Sequence, residues 1–197
     1  MYDATLNLRA YQNVELLDNY KTNDDLENYR KKRLGDMKKI VDYIERYIYK
    51  GTPLRILEYC SGSSCLLYAL EKQGILDRGI GIEISSSRHE FAEKWKEDCN
   101  FKKVQNLNIN VKDCEFKVGS FDLIMMVDSA FNYFHHENHL LPGKVLENSR
   151  RFLSPGGFIL FEMMTRIRDR ERCREEGFHT YWIELPQDNP FRFALYR

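Results

Sequence analysis

The feature that most constrains this chain is the order in which short apolar runs alternate with helical segments. Continuous apolar runs of this length are typical of parallel strands that are buried on both faces; they read "LRILEYC", "GIGIEIS", "FDLIMMV" and "GGFILFEMM". Between the second and third runs, "NLNINV" alternates, which predicts a further strand with Leu107, Ile109 and Val111 facing one way. Strands that alternate with helices predict an α/β fold, a mostly parallel sheet with helices on both faces.

The segments around these strands complete the prediction. Apolar residues at helical spacing from Asp24 predict one helix that ends before Gly51 and Pro53. Three more helices are predicted over "SGSSCLLYALEKQG", "SSSRHEFAEKWKEDC" and "LPGKVLENSRRFL". Near the end, "YWIEL" and "FRFALY" both alternate and are joined by "PQDNP", which predicts a closing antiparallel hairpin over 178–197.

Length and composition bound the functions that the chain can have. Its 197 residues suit one domain, 1–197, and its 30 basic residues balance 30 acidic ones, so we expect no nucleic-acid partner. The five cysteines form no C-x-x-C pair, which argues against a metal site and favours a reducing, cytoplasmic location. We see no signal peptide and no apolar stretch of about 20 residues, so we expect no membrane contact.

The residues that follow each predicted strand are the candidates for a binding site, because open α/β sheets bind ligands beyond the carboxyl ends of their strands. A turn of small residues, Glu58–Ser64, follows the first strand, and its backbone can approach a ligand closely. Glu83 follows the second, about 20 residues on, where a carboxylate can accept hydrogen bonds from both hydroxyls of a ribose. Asp113 with Cys114 follows the third strand, and the segment 128–133 follows the fourth.

Taken together, these strand ends resemble the class I S-adenosylmethionine-dependent methyltransferases. "LEYCSGSS" is similar to the family's first motif "LELGCGTG", and "GIEIS" is similar to its second. "KDCEF" resembles the adenine-binding segment, "FDLIMMVDSAFNYF" the fourth motif, and "FLSPGGFILFE" the turn and fifth strand. The resemblance covers residues 54–164 and implies a three-layer Rossmann-like sandwich whose sheet has seven strands.

The resemblance also implies a cofactor, a reaction and a set of site residues. The implied cofactor is S-adenosylmethionine, and the implied reaction is an in-line methyl transfer to nitrogen or oxygen of a small molecule. Glu83 would take the ribose hydroxyls and Asp113 the adenine amino group, within a cofactor-binding core over 54–164. The full set of cofactor-binding candidates is Glu58, Tyr59, Cys60, Ser61, Gly62, Glu83, Ile84, Asp113, Cys114, Asp128 and Ser129.

The acceptor side of the site is predicted from the segment after the fourth strand. Asn132 and Tyr133 are candidates for the substrate pocket, and His135 or His136 can act as a general base, with a surface position as the alternative. The spacing of the histidines in "FHHENH" also raises a metal site, which we do not expect because no partner cluster is visible. We expect the N-terminal part, 1–50, to include a segment that covers the cofactor, and a homodimer is left open.

The first motif departs from the family, because Cys60 and Ser64 stand where glycines are usual. These small residues permit a close approach of the ligand provided that they avoid strained backbone angles, and we expect that they do. Two rival functions remain open. A nicotinamide-dependent oxidoreductase is disfavoured by the lack of a G-x-G-x-x-G fingerprint. A binding or scaffold protein without catalysis is supported by the missing glycines but opposed by Glu83 and "DSAFNYF".

Overall fold

The computed structural model describes residues 22–128, 130, 134, 141–163, 181–183 and 192–196. The chain divides into two compact units, one formed by Asp3–Cys114 and the other by Glu115–Arg197 with Met1–Tyr2. A single domain over 1–197 therefore stays a prediction. In the described part of the chain, no helix combines the length and the hydrophobicity that crossing a membrane requires.

The Asp3–Cys114 unit alternates helices and parallel strands. Its elements are α1 (Asn23–Asp36), α2 (Lys38–Tyr47), β1 (Leu54–Tyr59), α3 (Cys65–Lys72), β2 (Leu76–Ile82), α4 (Ser86–Asp98), β3 (Val104–Leu107) and a 3-10 turn (Val111–Asp113). The strands lie in the order β3-β2-β1. Tyr59 is in register with Ile82, and Ile82 with Leu107, so all three strands end at one edge. This edge is where the predicted site residues follow their strands.

The unit that begins at Glu115 contains β4 (Phe121–Met126), α5 (Leu141–Phe152), β5 (Leu153–Met163), β6 (Tyr181–Ile183) and β7 (Arg192–Tyr196). Its strands lie in the order β4-β5-β7-β6. β4 and β5 are parallel, whereas β7 pairs antiparallel with both β5 and β6. The predicted α/β class, with five strands that pair in parallel, is confirmed. The finer expectation of a seven-stranded sheet with a closing hairpin over 178–197 is carried as a proposal.

Aromatic side chains fill the core between the helices and strands of the Asp3–Cys114 unit. Trp95 of α4 is completely buried, and Phe91 and Tyr68 lie against it at centroid distances of 6.0 and 5.4 Å. Tyr29 of α1 meets Phe91 edge to face at 5.5 Å. The α1 helix is therefore packed on the same core that supports the strands.

Two sequence-based boundaries are wrong. The single helix predicted from Asp24 is two helices that break at Met37, because Gly35 and Asp36 are weak helix formers. The third strand is Val104–Leu107, and Val111 lies in the 3-10 turn rather than on a strand face. The alternation misled because Asn106, a polar residue, takes a buried position where its hydrogen bonds are satisfied.

An ion pair joins α1 to α4. Arg30 is buried, its Nη2 donates to Asp98 Oδ2 at 2.6 Å, and its guanidinium lies 5.8 Å from the centre of the Trp95 ring. The hydrogen bond from Arg30 holds the pKa of Asp98 below its ordinary value of 3.8. A carboxylate whose pKa is lowered by folding contributes stability above its unfolded pKa and loses it as pH falls through the folded pKa.

We therefore predict that Asp98→Asn lowers the free energy of unfolding at pH 7 by about 1–2 kcal/mol, since it leaves a buried arginine unpaired. Urea unfolding from pH 7 to pH 3 measures the effect. The difference in the free energy of unfolding between the wild type and Asp98→Asn becomes smaller below about pH 4, because Asp98 of the wild type is then protonated. Asp42→Asn, which breaks the exposed pair Lys38–Asp42, is the control and changes stability by less than about 0.5 kcal/mol. A gap that is constant across this pH range contradicts the prediction.

Candidate cofactor site

The loop between β1 and α3 has an unusual backbone. Cys60, Gly62 and Ser64 have φ angles of +54°, +55° and +55°, so every second residue is left-handed. Glycine adopts this region freely, but each other L-residue pays about 1–2 kcal/mol for it. The expectation that Cys60 and Ser64 avoid strained angles is wrong. The loop is left-handed at two positions where the family usually has glycine.

Three backbone N–H groups of this loop donate hydrogen bonds, one to β2, one within the loop and one to the side chain of Glu83. The N–H of Ser61 donates to the carbonyl of Ile82 at 2.9 Å, and the N–H of Ser64 donates to the carbonyl of Ser61 at 2.8 Å. The N–H of Gly62 donates to Glu83 Oε2 at 2.9 Å. Strained angles persist only where surrounding contacts determine them, and these three bonds are such contacts.

Glu83 directly follows β2, and its side chain connects that strand end to the loop after β1. The residue is 8% exposed, and its second oxygen, Oε1, accepts a hydrogen bond from the N–H of Ser85 at 2.8 Å. It is therefore a buried carboxylate with a fixed orientation rather than a solvated charge. The structure thus brings the loop residues and Glu83 together, as their positions in the sequence predict.

The other candidates from the first two strand ends differ in their exposure. Glu58, Tyr59 and Ser61 are buried. Cys60 is exposed, and Ile84 is 38% exposed although it is a large apolar residue. Cys60 and Ile84 are thus open to a ligand from solvent, while the buried residues support the surface from beneath.

The third strand end is built differently from the first two. Asp113 is exposed on the 3-10 turn, and its N–H donates to the carbonyl of Asn110 at 3.0 Å. Cys114 is buried, with its Sγ 3.4 Å from the same carbonyl. Within the described residues, no hydrogen bond joins Asp113 to the loop or to Glu83. Its place in the site stays a prediction.

The fourth strand end lies in the unit that begins at Glu115. Asp128 is exposed and left-handed at φ +55°, and the N–H of Ala130 donates to the carbonyl of Val127 at 3.2 Å. Five further candidates lie outside the described residues, so their roles stay predictions; they are Ser129, Asn132, Tyr133, His135 and His136.

Two asparagines of the third strand end contact the first two. Asn106 Oδ1 accepts a hydrogen bond from the Ser64 hydroxyl at 2.7 Å. Asn108 Nδ2 donates to the backbone carbonyl of Glu83 at 2.8 Å, and Asn108 Oδ1 accepts from the Ser86 hydroxyl at 3.0 Å. Sequence reasoning missed both residues. The only available signal was two asparagines at alternate positions of an otherwise apolar strand.

Comparison with known families decides the assignment. A family described as "Methyltransferase domain" matches residues 56–157, more than half of the chain. This chain belongs to that methyltransferase family. Its cofactor is S-adenosylmethionine, and the sequence-based assignment to this family is confirmed. A search of curated proteins finds no significant match.

Solved structures share the fold of this methyltransferase at low sequence identity. A protein of Pyrococcus horikoshii is 14% identical with a TM-score of 0.66, covering 83% of this chain and 89% of its own. A protein of Methanococcus maripaludis is 17% identical with a TM-score of 0.66, covering 88% and 90%. A SAM-dependent methyltransferase of Leishmania major is 16% identical with a TM-score of 0.65, covering 99% and 84%.

The structure also adds a basic cluster beside the first motif of the methyltransferase. Arg33 Nη2 lies 3.9 Å from Cys65 Sγ, and Arg88 Nη1 lies 3.4 Å from the point that a Cβ on Gly62 would occupy. Burial raises the pKa of Tyr29, while the charges of both arginines and a hydrogen bond with Ser63 oppose that rise. No sequence motif marks these residues, because α1 and α4 bring them to the loop only in the folded chain.

Gly81 of β2 lies beneath the loop. A Cβ on Gly81 would lie 2.7 Å from the Ser61 hydroxyl and 2.8 Å from the Ser64 hydroxyl, so we predict that Gly81→Ala lowers the free energy of unfolding by about 1–3 kcal/mol. Chemical denaturation measures the change. Gly35→Ala is the control, because nothing lies within 4 Å of its Cβ position. That helical substitution raises stability by up to about 1 kcal/mol. Equal effects of the two substitutions would refute the packing argument.

The left-handed backbone at Cys60 leads to a second prediction. Cys60→Gly removes the cost of the left-handed backbone and raises the free energy of unfolding by up to about 1 kcal/mol, after the added flexibility of the unfolded chain is subtracted. Cys99→Gly is a matched control, because Cys99 is also exposed but has φ −101°. We expect no gain of stability there. Thermal unfolding of both variants tests this, and a loss of stability in Cys60→Gly would show that the loop is unstrained.

Proposed function

We propose that this chain transfers a methyl group from S-adenosylmethionine to a nitrogen or oxygen atom of a small molecule. The observation that carries the proposal is the buried carboxylate of Glu83, which is bound to the Gly62 N–H at the meeting point of two strand ends. Its chemistry fits the cofactor, because each carboxylate oxygen can accept a second hydrogen bond and a ribose offers two adjacent donors.

The surrounding residues supply the other parts of a binding surface. The exposed apolar side chain of Ile84 offers a face for the adenine ring, and Asp113 with the backbone at Cys114 offers hydrogen bonds to the adenine edge. Arg33 and Arg88 place positive charge beside the loop, which suits the carboxylate of the amino-acid end. The remaining candidates line the same surface at the end of β1; they are Glu58, Tyr59, Cys60 and Ser61.

S-adenosylmethionine supplies an electrophilic methyl group on a sulfonium centre, so the chain has chiefly to hold and orient the two reactants. We assign Asp128 and Ser129 to cofactor binding, and Asn132 and Tyr133 to the acceptor side. His135 or His136 acts as the general base where the acceptor is a hydroxyl or a protonated amine. We also propose a seven-stranded sheet with a closing hairpin over 178–197, as the family resemblance implies.

Three observations support a small acceptor in the cytoplasm. Acidic and basic residues balance at 30 each, which gives no general attraction for nucleic acid. Only residues 164–180 separate β5 from β6, so that connection is too short for a capping domain. Four cysteines of the described part are thiols rather than disulfides, which suits a reducing compartment; they are Cys60, Cys65, Cys99 and Cys114.

Isothermal titration tests the ribose assignment. We predict that Glu83→Gln weakens the binding of S-adenosylmethionine at least about tenfold. The two carboxylate oxygens accept from the Gly62 and Ser85 N–H groups and can also accept from the ribose hydroxyls, whereas an amide has only one acceptor oxygen. Glu97→Gln is the matched control, since Glu97 is exposed at the far end of α4. It should bind as the wild type does.

The same titration separates the rival functions. Tight binding of NAD in place of S-adenosylmethionine would support an oxidoreductase. Binding of neither would support a scaffold protein. Normal binding by Glu83→Gln would remove the ribose assignment while leaving the family intact. A screen for methylation of small amines and hydroxy compounds, with S-adenosylmethionine as the methyl donor, then tests the acceptor class.

A further inference from the structure

Ser64 combines a strained backbone with a buried hydroxyl. It is fully buried at φ +55°, and although it is the N-cap residue of α3, its side chain makes no capping hydrogen bond to that helix. The hydroxyl instead donates to Asn106 Oδ1 of β3 at 2.7 Å. Where the family has a glycine, this chain therefore has a side chain that ties the loop to another strand.

The orientation of the Asn106 amide is fixed by its other partners. Its Nδ2 donates to Glu93 Oε1 at 2.7 Å and to the Tyr68 hydroxyl at 3.0 Å. An ionised carboxylate only accepts, and the Tyr68 hydroxyl already donates to the Ala92 carbonyl at 2.7 Å. The amide nitrogen must therefore face these two groups, and Oδ1 is left to receive the Ser64 hydroxyl.

This network reaches the cofactor loop from behind. Lys96 Nζ lies 3.3 Å from Glu93 Oε2, so the charge of Glu93 is partly balanced on α4. Side-chain hydrogen bonds thus connect Glu93 of α4 through Asn106 of β3 to Ser64, the residue that ends the loop. Two residues before Ser64, Gly62 donates its N–H to Glu83.

We propose that Asn106 is a positioning residue for the cofactor loop, which it holds through Ser64 in the left-handed conformation that aims the Gly62 N–H at Glu83. The proposal rests on the proposed function, because it takes this loop as the binding surface for S-adenosylmethionine. Asn106 itself acts only through Ser64.

Epistasis between the two positions tests the proposal by isothermal titration with S-adenosylmethionine. Asn106→Ala and Ser64→Ala each weaken binding about tenfold, and the double variant is no weaker than either single one. Ser64→Gly weakens binding less than Ser64→Ala does, because glycine takes the left-handed conformation without a hydroxyl. In the Ser64→Gly background, Asn106→Ala has no further effect. An equal loss in that background would overturn the proposal.

Tyr68→Phe is the matched control for general destabilisation. It removes both hydrogen bonds of the Tyr68 hydroxyl, the one from Asn106 and the one to the Ala92 carbonyl, but keeps the bond between Ser64 and Asn106. We expect a lower melting temperature with an unchanged affinity for the cofactor. A tenfold loss of affinity in Tyr68→Phe would show that Asn106 acts through overall stability and would overturn the proposal.

Hydrogen exchange gives a readout that does not need the cofactor. In the unliganded protein, Asn106→Ala and Ser64→Ala speed exchange of the amides of Ser61–Cys65 about tenfold, while the amides of α2 are unchanged. Ser64→Gly with Asn106→Ala exchanges as Ser64→Gly alone does. Unchanged exchange in Asn106→Ala would overturn the positioning role. If the wild type bound no S-adenosylmethionine, the proposed function would fail, and this measurement would still decide the role of Asn106.

Discussion

The hydrogen bond from the Gly62 N–H to the Glu83 carboxylate is the contact on which the rest of the site depends. Its two residues are 21 apart in sequence and lie at the ends of neighbouring parallel strands, so it forms only if β1 and β2 keep their register. Glu83 also accepts the N–H of Ser85, directly before α4. One buried side chain thus connects a loop, a strand end and a helix start, and an error in any of them would displace the other two.

The loop has a strained backbone, and residues of the two strands beneath it contact the strained segment. Cys60 and Ser64 are held left-handed without being glycine, so the loop geometry belongs to the fold rather than to a sequence motif. Gly81 leaves space for the loop serines, and Asn106 receives the hydroxyl of one of them. The left-handed residues Cys60 and Ser64 are thus accompanied by space beneath the loop at β2 and by a hydrogen bond to β3.

The sequence predicted what local pattern and spacing control. Apolar runs located β1, β2, β4 and β5, and the separation of one strand–helix–strand unit between the loop and the carboxylate identified Glu83. The boundaries of β3 failed, because the burial of Asn106 follows from hydrogen-bond partners on α3 and α4 and not from its polarity. The sequence carried no site signal at Tyr29 or Arg88, because their proximity to the loop arises from helix packing.

The position of α1 changes the interpretation of the N-terminal part of the site. A cover that opens and closes over a cofactor needs weak contacts with its base. Instead, α1 buries Arg30 against Asp98 and Trp95, and Tyr29 meets the Phe91 ring. The same helix carries Arg33 beside Cys65 at the loop. Because its anchors and its contact with Cys65 lie within one turn of each other, α1 packs as a fixed element of the core. The N-terminal residues 1–21 lie outside the described residues, so a cover there stays a prediction.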